Sequence, residues 1–378
     1  MSPRGQSFGS CGNDSGRKPV PENVGPPEIR GSHNMPRDGS PRVLICRLSA
    51  IGDCMLTVPV LCALRRHFPG AMLGWIVQPQ GAALLRDHEC LDALIEVPRR
   101  WLQSATSIAR VRRTLRSMEF DVAIDAQSLA KSAVAAWISG SPRRIGFARP
   151  LGREGSHWLH HVNIDSKHAH IVRKQLDLLE PLGIVDPIVE FRMPAFAEER
   201  ERMRNWLDSA VGPTFLTVNP GATWHSKQWP PARFADVARH MGRRHGLPTV
   251  IVWGGPSERI LAEFVQSKAH GHAIVAPSTD LRELASLLRM SRLVIASDTG
   301  PLHIAAAVGA TCVGLHGTTR AEVSRAYGPD HAAIQAYYQA TSRRAHRTAP
   351  NDAMRAISAE RVMETCDILL SSRSARAA

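Results

Sequence analysis

The chain has 378 residues, is 43% hydrophobic and carries a formal net charge of +13 with only 5% aromatic residues. That length and apolar content suffice for two ordinary domain cores, and no stretch approaches the roughly 18 uncharged apolar residues of a membrane span. The charge points to anionic partners, whereas the few aromatics flank no basic motif of the base-stacking kind, so nucleic acid is not expected among them.

Residues 1–41 are rich in Gly, Pro, Ser and Asn without periodic apolar spacing or an apolar signal-peptide core, which predicts a disordered tail on a cytoplasmic protein. From Pro41 the pattern alternates between strand and helix. Strand 43–46 leads to helix 53–67, with Pro59 in a first turn or at a kink. Strands 73–77 and 94–97, helix 108–118, strand 122–125, helix 131–138, strand 144–147 and helix 168–182 follow. Residues 184–194 read as extended, and a charged helix over 197–211 opens a second series. Strands 215–218, 249–253, 273–275, 293–297 and 312–315 then alternate with helices 231–244, 257–267, 281–290 and 301–308, and a closing helix spans 358–370. This alternation predicts right-handed crossovers, mostly parallel sheets and two Rossmann-like domains with a boundary near 185–210. Seven cysteines form no Cys-x-x-Cys pair and most lie in apolar runs, as expected of reduced core thiols.

Two segments carry most of the chemistry. Arg47-Leu48-Ser49-Ala50-Ile51-Gly52-Asp53 follows the first strand, and Ser297-Asp298-Thr299-Gly300-Pro301-Leu302-His303 follows strand 293–297. In each, Gly and Asp occupy a strand-to-helix turn, where the carboxyl ends of parallel strands and the amino ends of helices build ligand sites. Gly52 suits a tight turn that aims Asp53 into a cleft. Asp53 and Asp298 equally suit helix caps, and His303 a helix-core position. Neither Gly-x-Gly-x-x-Gly after the first strand nor a P-loop is present. The segment from Asn219 to Pro230 offers Gly221 for close backbone approach, the Thr223 hydroxyl and the Lys227 ammonium. Glu258, after Trp253-Gly254-Gly255-Pro256-Ser257, falls in the first turn of a helix, where it favours the dipole or accepts from ribose hydroxyls.

Taken together, the segments Arg47–Asp53, Asn219–Pro230, Trp253–Glu258 and Ser297–His303 resemble glycosyltransferase family 9, the ADP-heptose:lipopolysaccharide heptosyltransferases, over roughly residues 42–330. Arg99-Arg100-Trp101 and Ile124 to Ser132 resemble the branch that adds the first heptose to an inner-core sugar. The resemblance implies an α/β GT-B fold, two Rossmann-like domains with mostly parallel sheets facing across a cleft. The acceptor domain would span 42–195, the nucleotide-sugar domain 196–370, and residues 371–378 would fray. It implies Asp53 as the general base of an inverting transfer from an ADP-sugar. The donor would be held by Thr223, Lys227, Glu258, Asp298, Thr299, Gly300 and His303. An anionic glycolipid acceptor would be held by Ser49, Arg99, Arg100, Gln127 and Lys131. No cofactor or metal is implied, since no Asp-x-Asp pair matches, and peripheral contact with the cytoplasmic face of the inner membrane is allowed. Another GT-B sugar-nucleotide enzyme, such as an epimerase or a different glycosyltransferase, and a non-catalytic anionic-glycan binder remain the alternatives. The family does not need the long amino-terminal tail. Ala222 stands where some relatives place a hydroxyl, and no cysteine occurs over 337–354.

Overall fold

The computed structural model describes residues 40–340, 345 and 348–377. Cys11 and the expected tail as far as residue 39 lie outside them. The first lobe comprises β1 (Arg42–Cys46), α1 (Ile51–His67), β2 (Met72–Val77), α2 (Pro79–Leu85), β3 (Ala93–Glu96), α3 (Ala105–Ser117), β4 (Val122–Ile124), α4 (Ala130–Ile138), β5 (Arg143–Phe147), β6 (Val162–Ile164) and α5 (Ile171–Asp177). The second begins with α6 (Ala197–Ala210), β7 (Leu216–Asn219), α7 (Pro231–His245), β8 (Thr249–Ile251), α8 (Pro256–Lys268) and β9 (Ala273–Val275). It continues through α9 (Leu281–Met290), β10 (Val294–Ser297), α10 (Gly300–Ala307), β11 (Cys312–His316), α11 (Ala321–Ser324), β12 (Ala332–Gln335), α12 (Asp352–Arg355) and α13 (Ala359–Ala377).

Each lobe holds one six-stranded sheet, ordered β3-β2-β1-β4-β5-β6 in the first and β12-β11-β10-β7-β8-β9 in the second. All neighbouring pairs are parallel. Strands covered by helices on both faces need apolar residues at every position, which is why β2 is buried throughout rather than alternating. Read within each lobe, both orders are the doubly wound one, and each reverses direction between its first and fourth strands. Ligands bind at such reversals, in the crevice beyond the carboxyl ends of the strands. The segments leaving β1, β4, β7 and β10 are therefore placed by topology to face ligand, and these segments, with the helix start that follows β1, contain Asp53, Gln127, Lys227 and Asp298.

Several expectations need correction. Helix 168–182 is interrupted: α5 stops at Asp177, and a 3-10 turn, Glu180–Leu182, carries Pro181. Proline lacks the amide that would continue the helix. The closing helix does not end at Leu370 but continues to Ala377, through a stretch containing alanine and arginine, which favour helix. Gly52 is not in a tight turn but within the first turn of α1. Helix α2 and edge strands β6 and β12 add to the predicted elements; each is short, and periodicity over so few residues is weak. Pro59 sits in the interior of α1. The six described cysteines are buried and free.

The lobes touch through α1 against α10 and α2 against α9. Further ties are the Arg282–Asp87 ion pair at 3.2 Å and the Arg173 Nε donation to the Tyr327 hydroxyl at 2.7 Å. Between them the chain crosses at Phe196, whose buried ring lies under the guanidinium groups of Arg282 and Arg289 at 5.2 and 5.7 Å. Sandwiched this way, the linker is fixed to α9 by cation–π attraction as well as by burial.

Candidate active site

A cleft of about 870 Å³ opens between the lobes. From the first lobe it is lined by Gly52, Asp53 and Arg99; from the second by Thr223, Lys227, Asp298, Thr299, Gly300 and His303. Eight of the expected site residues thus share one cavity, although they come from four separate strand-to-helix connections.

Asp53 lies in the first turn of α1 with its side chain 47% exposed, and Arg47 Nη2 reaches its Oδ2 at 2.7 Å. The Ala50 amide is 3.4 Å from the same oxygen, so the ion pair rather than a cap sets its orientation. Arg47 is itself buried and donates from Nη1 to the Ala126 carbonyl at 2.8 Å. Gln127 is buried and accepts from the Leu48 amide at 2.9 Å. The loop after β4 therefore clamps the loop after β1. Beneath it, Asp125 accepts from the Gln127 and Ser128 amides at 3.1 and 2.8 Å and from His160 Nε2 at 3.0 Å. Gln127 works through the backbone of the Asp53 loop and does not line the cleft.

Across the cavity, Lys227 Nζ donates to Asp298 Oδ2 and to the Asp298 carbonyl, each at 2.9 Å, and His303 Nε2 meets Oδ1 at 3.1 Å. Burial alone would raise the Asp298 pKa, but the Lys227 ammonium and the His303 hydrogen bond hold the carboxyl well below its usual range. Burial also pushes His316 down to about 4, so it sits neutral behind this pair, neither ring nitrogen hydrogen-bonded. An ammonium has three N–H donors, and with two on Asp298 the third remains for a ligand. Thr299 precedes α10, whose Gly300 and Leu302 amides are orphan donors at a helix start; Pro301 has none. Asn219 Nδ2, at the end of β7, donates to the Gly221 carbonyl at 3.2 Å and lies 3.5 Å from Thr299 Oγ1, so it ties the loop after β7 to this one.

The remaining expected residues stand outside the cavity wall. Lys131 Nζ donates to Ser49 Oγ at 2.6 Å, and its pKa is lowered by burial and by Arg47. Arg100 is exposed ahead of the turn Trp101–Gln103. Glu258 accepts from the Gly254 amide at 2.8 Å and fills the space that a Gly221 side chain would need, with its carboxyl carbon 2.2 Å from an added Cβ. Burial raises its pKa. Gly221 is therefore glycine to admit Glu258 under the loop after β7. The sequence reading missed Arg153, Thr318, Thr319, Arg320 and Tyr338, which complete the cleft wall. Arg320 stacks on Tyr338 at 4.1 Å from the ring centre. No motif signalled them. Among the described residues, His240, His245 and Asp367 form a cluster of ligand type, but it joins α7 to α13 and lines no part of the cleft.

The family model for glycosyltransferase family 9 (heptosyltransferase) matches residues 108–353. The chain belongs to glycosyltransferase family 9. It is 29% identical over 296 residues to lipopolysaccharide heptosyltransferase 1 of Pseudomonas aeruginosa, covering 76% of this chain and 81% of that protein. It is 28% identical over 280 residues to lipopolysaccharide heptosyltransferase 3 of Escherichia coli, covering 71% and 80%. Among solved structures, a family 9 glycosyl transferase from Veillonella parvula superposes with a TM-score of 0.73 at 22% identity, covering 88% of this chain and 97% of that one. The E. coli heptosyltransferase WaaC with ADP superposes at 0.67 and 20% identity, covering 86% and 97%. The fold of this family 9 glycosyltransferase is GT-B, as the motifs implied.

Two outcomes follow from this geometry. A Cβ on Gly52 would lie 2.7 Å from His303 Cδ2, so Gly52→Ala pushes the α1 and α10 starts apart. The expected result is a stability loss of about 1–3 kcal/mol in denaturant titration, with transfer reduced further than stability explains. Lys227→Ala leaves Asp298 buried without its ammonium and is expected to lose about 3 kcal/mol. Adding Asp298→Asn to that variant recovers most of the loss in thermal melts, without restoring ligand affinity.

Proposed function

We propose that this glycosyltransferase moves a heptose, or a related sugar, from an ADP-sugar to an anionic lipopolysaccharide inner-core-type acceptor. The transfer inverts the anomeric centre, needs no metal, and takes place in the cytoplasm at or near the inner-membrane surface. The observation that carries the reading is one cleft faced by an accessible carboxylate from the first lobe and by an ammonium with a helix start from the second. The names of the curated relatives, lipopolysaccharide heptosyltransferases 1 and 3, support the substrate class.

In the proposed reaction the acceptor hydroxyl oxygen attacks the anomeric carbon while the bond from that carbon to the diphosphate oxygen breaks. Asp53 takes the hydroxyl proton, its carboxylate held in place by Arg47. ADP departs with the electron pair, and its growing charge falls on the Lys227 ammonium and the Gly300 and Leu302 amides. Thr223 and Thr299 supply hydroxyls beside the diphosphate. Asp298, steadied by His303, holds the ammonium, both residues line the sugar, and Glu258 accepts from the ribose. Arg99 and Arg100 meet anionic groups of the acceptor, Ser49 and Lys131 flank its hydroxyl, and Gln127 fixes the loop that presents Asp53.

Mass spectrometry of products from a panel of ADP- and UDP-sugars offered with delipidated core acceptor tests the assignment: a heptose adduct from the ADP-sugar is expected, and transfer only from a UDP-sugar would overturn the donor. Asp53→Asn keeps an acceptor oxygen for Arg47 and is expected to fold and to bind ADP unchanged in calorimetry, while turnover falls by about 10²- to 10⁴-fold. Turnover near wild type would remove Asp53 from the mechanism. Excess EDTA is expected to leave the rate unchanged, because Lys227 and the helix amides supply the charge a cation otherwise would. Complete inhibition reversed by added Mg²⁺ would contradict that reading.

A further inference from the structure

The two sides of the first sheet are covered differently. Ile45 and Leu73 share a core with α1, whereas Leu44, Ile76 and Ala123 share one with Val111 and Leu115 of α3 and Ala135 and Ala136 of α4. Since successive strand residues face opposite sides, α3 and α4 form an outer layer on the face away from α1, which carries the second lobe.

That layer has an unusual surface. Helix α3 buries Val111 and Leu115 and exposes Arg110, Arg112, Arg113 and Arg116, with no acidic residue in its length. Beside it, Trp137 of α4 is 55% exposed. The 3-10 turn Ser156–Leu159 packs on α4 and leaves Trp158 80% exposed. Two large indoles in water next to a row of arginines lose apolar contact that a partner would restore. Trp at headgroup depth with arginines over phosphates is the pairing that suits an anionic bilayer surface.

The layer also meets the cleft. Arg153 lines both the cleft and a hollow of about 470 Å³ bounded by Arg149, His157 and Trp158. On the other side, Arg99 lines the cleft just before the turn that leads into α3. A lipid-linked acceptor could enter its head group here while its acyl chains stay in the adjoining membrane.

We propose that this outer layer docks the enzyme on an anionic lipid bilayer, with Trp137 and Trp158 at headgroup level and the α3 arginines over the lipid phosphates. The proposal deepens the reading of the acceptor as a glycolipid and rests on it for its purpose, though not for its test. Flotation with vesicles of phosphatidylglycerol and phosphatidylcholine is expected to carry the wild-type chain, and pure phosphatidylcholine vesicles at least tenfold less. Binding should weaken as salt rises. Trp137→Ser with Trp158→Ser, and separately Arg112→Glu with Arg113→Glu, should each cut the bound fraction at least tenfold, with unchanged melting temperature and unchanged transfer to delipidated acceptor. Wild-type-like flotation of both variants, or no flotation of the wild type, overturns the proposal, as does binding to single-stranded RNA in place of vesicles. If flotation behaves as expected but no acceptor receives sugar, the functional reading fails and the docking surface stands.

Discussion

A tight helix-to-helix contact between the two lobes, Gly52 of α1 against His303 and Gly300 of α10, is the constraint on which the site depends. With only a hydrogen on Gly52, the starts of two helices come together, and a Cβ there would meet His303 at 2.7 Å. The contact brings Asp53, one residue further along α1, to the same cleft as Asp298, which His303 holds. Glycine is needed here for proximity rather than for a special backbone angle, since Gly52 is helical.

Two ion pairs divide the work on either side of that contact. Arg47–Asp53 pairs a buried guanidinium with a half-exposed carboxylate, so solvent screening limits its worth to stability and its effect is mainly orientation. Lys227–Asp298 is shielded on both partners, at 16% and 6% exposure, and its integrity matters to folding. The placement matches the different tasks proposed for them: a base must reach an incoming hydroxyl, whereas a buried carboxylate can keep an ammonium in place and leave one donor facing outward.

Most of the sheet framework was legible because doubly covered parallel strands must be apolar throughout, and the runs at 43–46, 73–77 and 293–297 say so. The segments at Asp53 and Asp298 were legible for the same reason, as polar turns directly after such runs. What the sequence did not reveal depends on approach in three dimensions. Gly52 reads as a turn glycine until α10 is seen beside it. Gln127 reads as a ligand contact until its bond to the Leu48 amide is seen. Arg153, Arg320 and Tyr338 belong to loops without a motif, and only the folded cleft gathers them. The break between α5 and the turn at Pro181 was visible as a proline, yet the apolar spacing on both sides outweighed it.

The charge of the cleft follows from the same arrangement. Arg99, Arg153, Lys227 and Arg320 face it, against the carboxylates of Asp53 and Asp298. Both carboxylates are already partnered, one by Arg47 from beneath and one by Lys227, so the cavity as a whole favours anions. In the proposed transfer the sugar nucleotide carries two diphosphate charges and the departing ADP about three. A cationic wall therefore gains most from the state in which the glycosidic bond to phosphate is breaking, which is where stabilisation raises turnover rather than substrate affinity. The carboxylate proposed to remove the proton gains nothing from the same field, and that opposition fits the placing of Asp53 across the cavity from the Lys227 ammonium, half-exposed and with its own arginine.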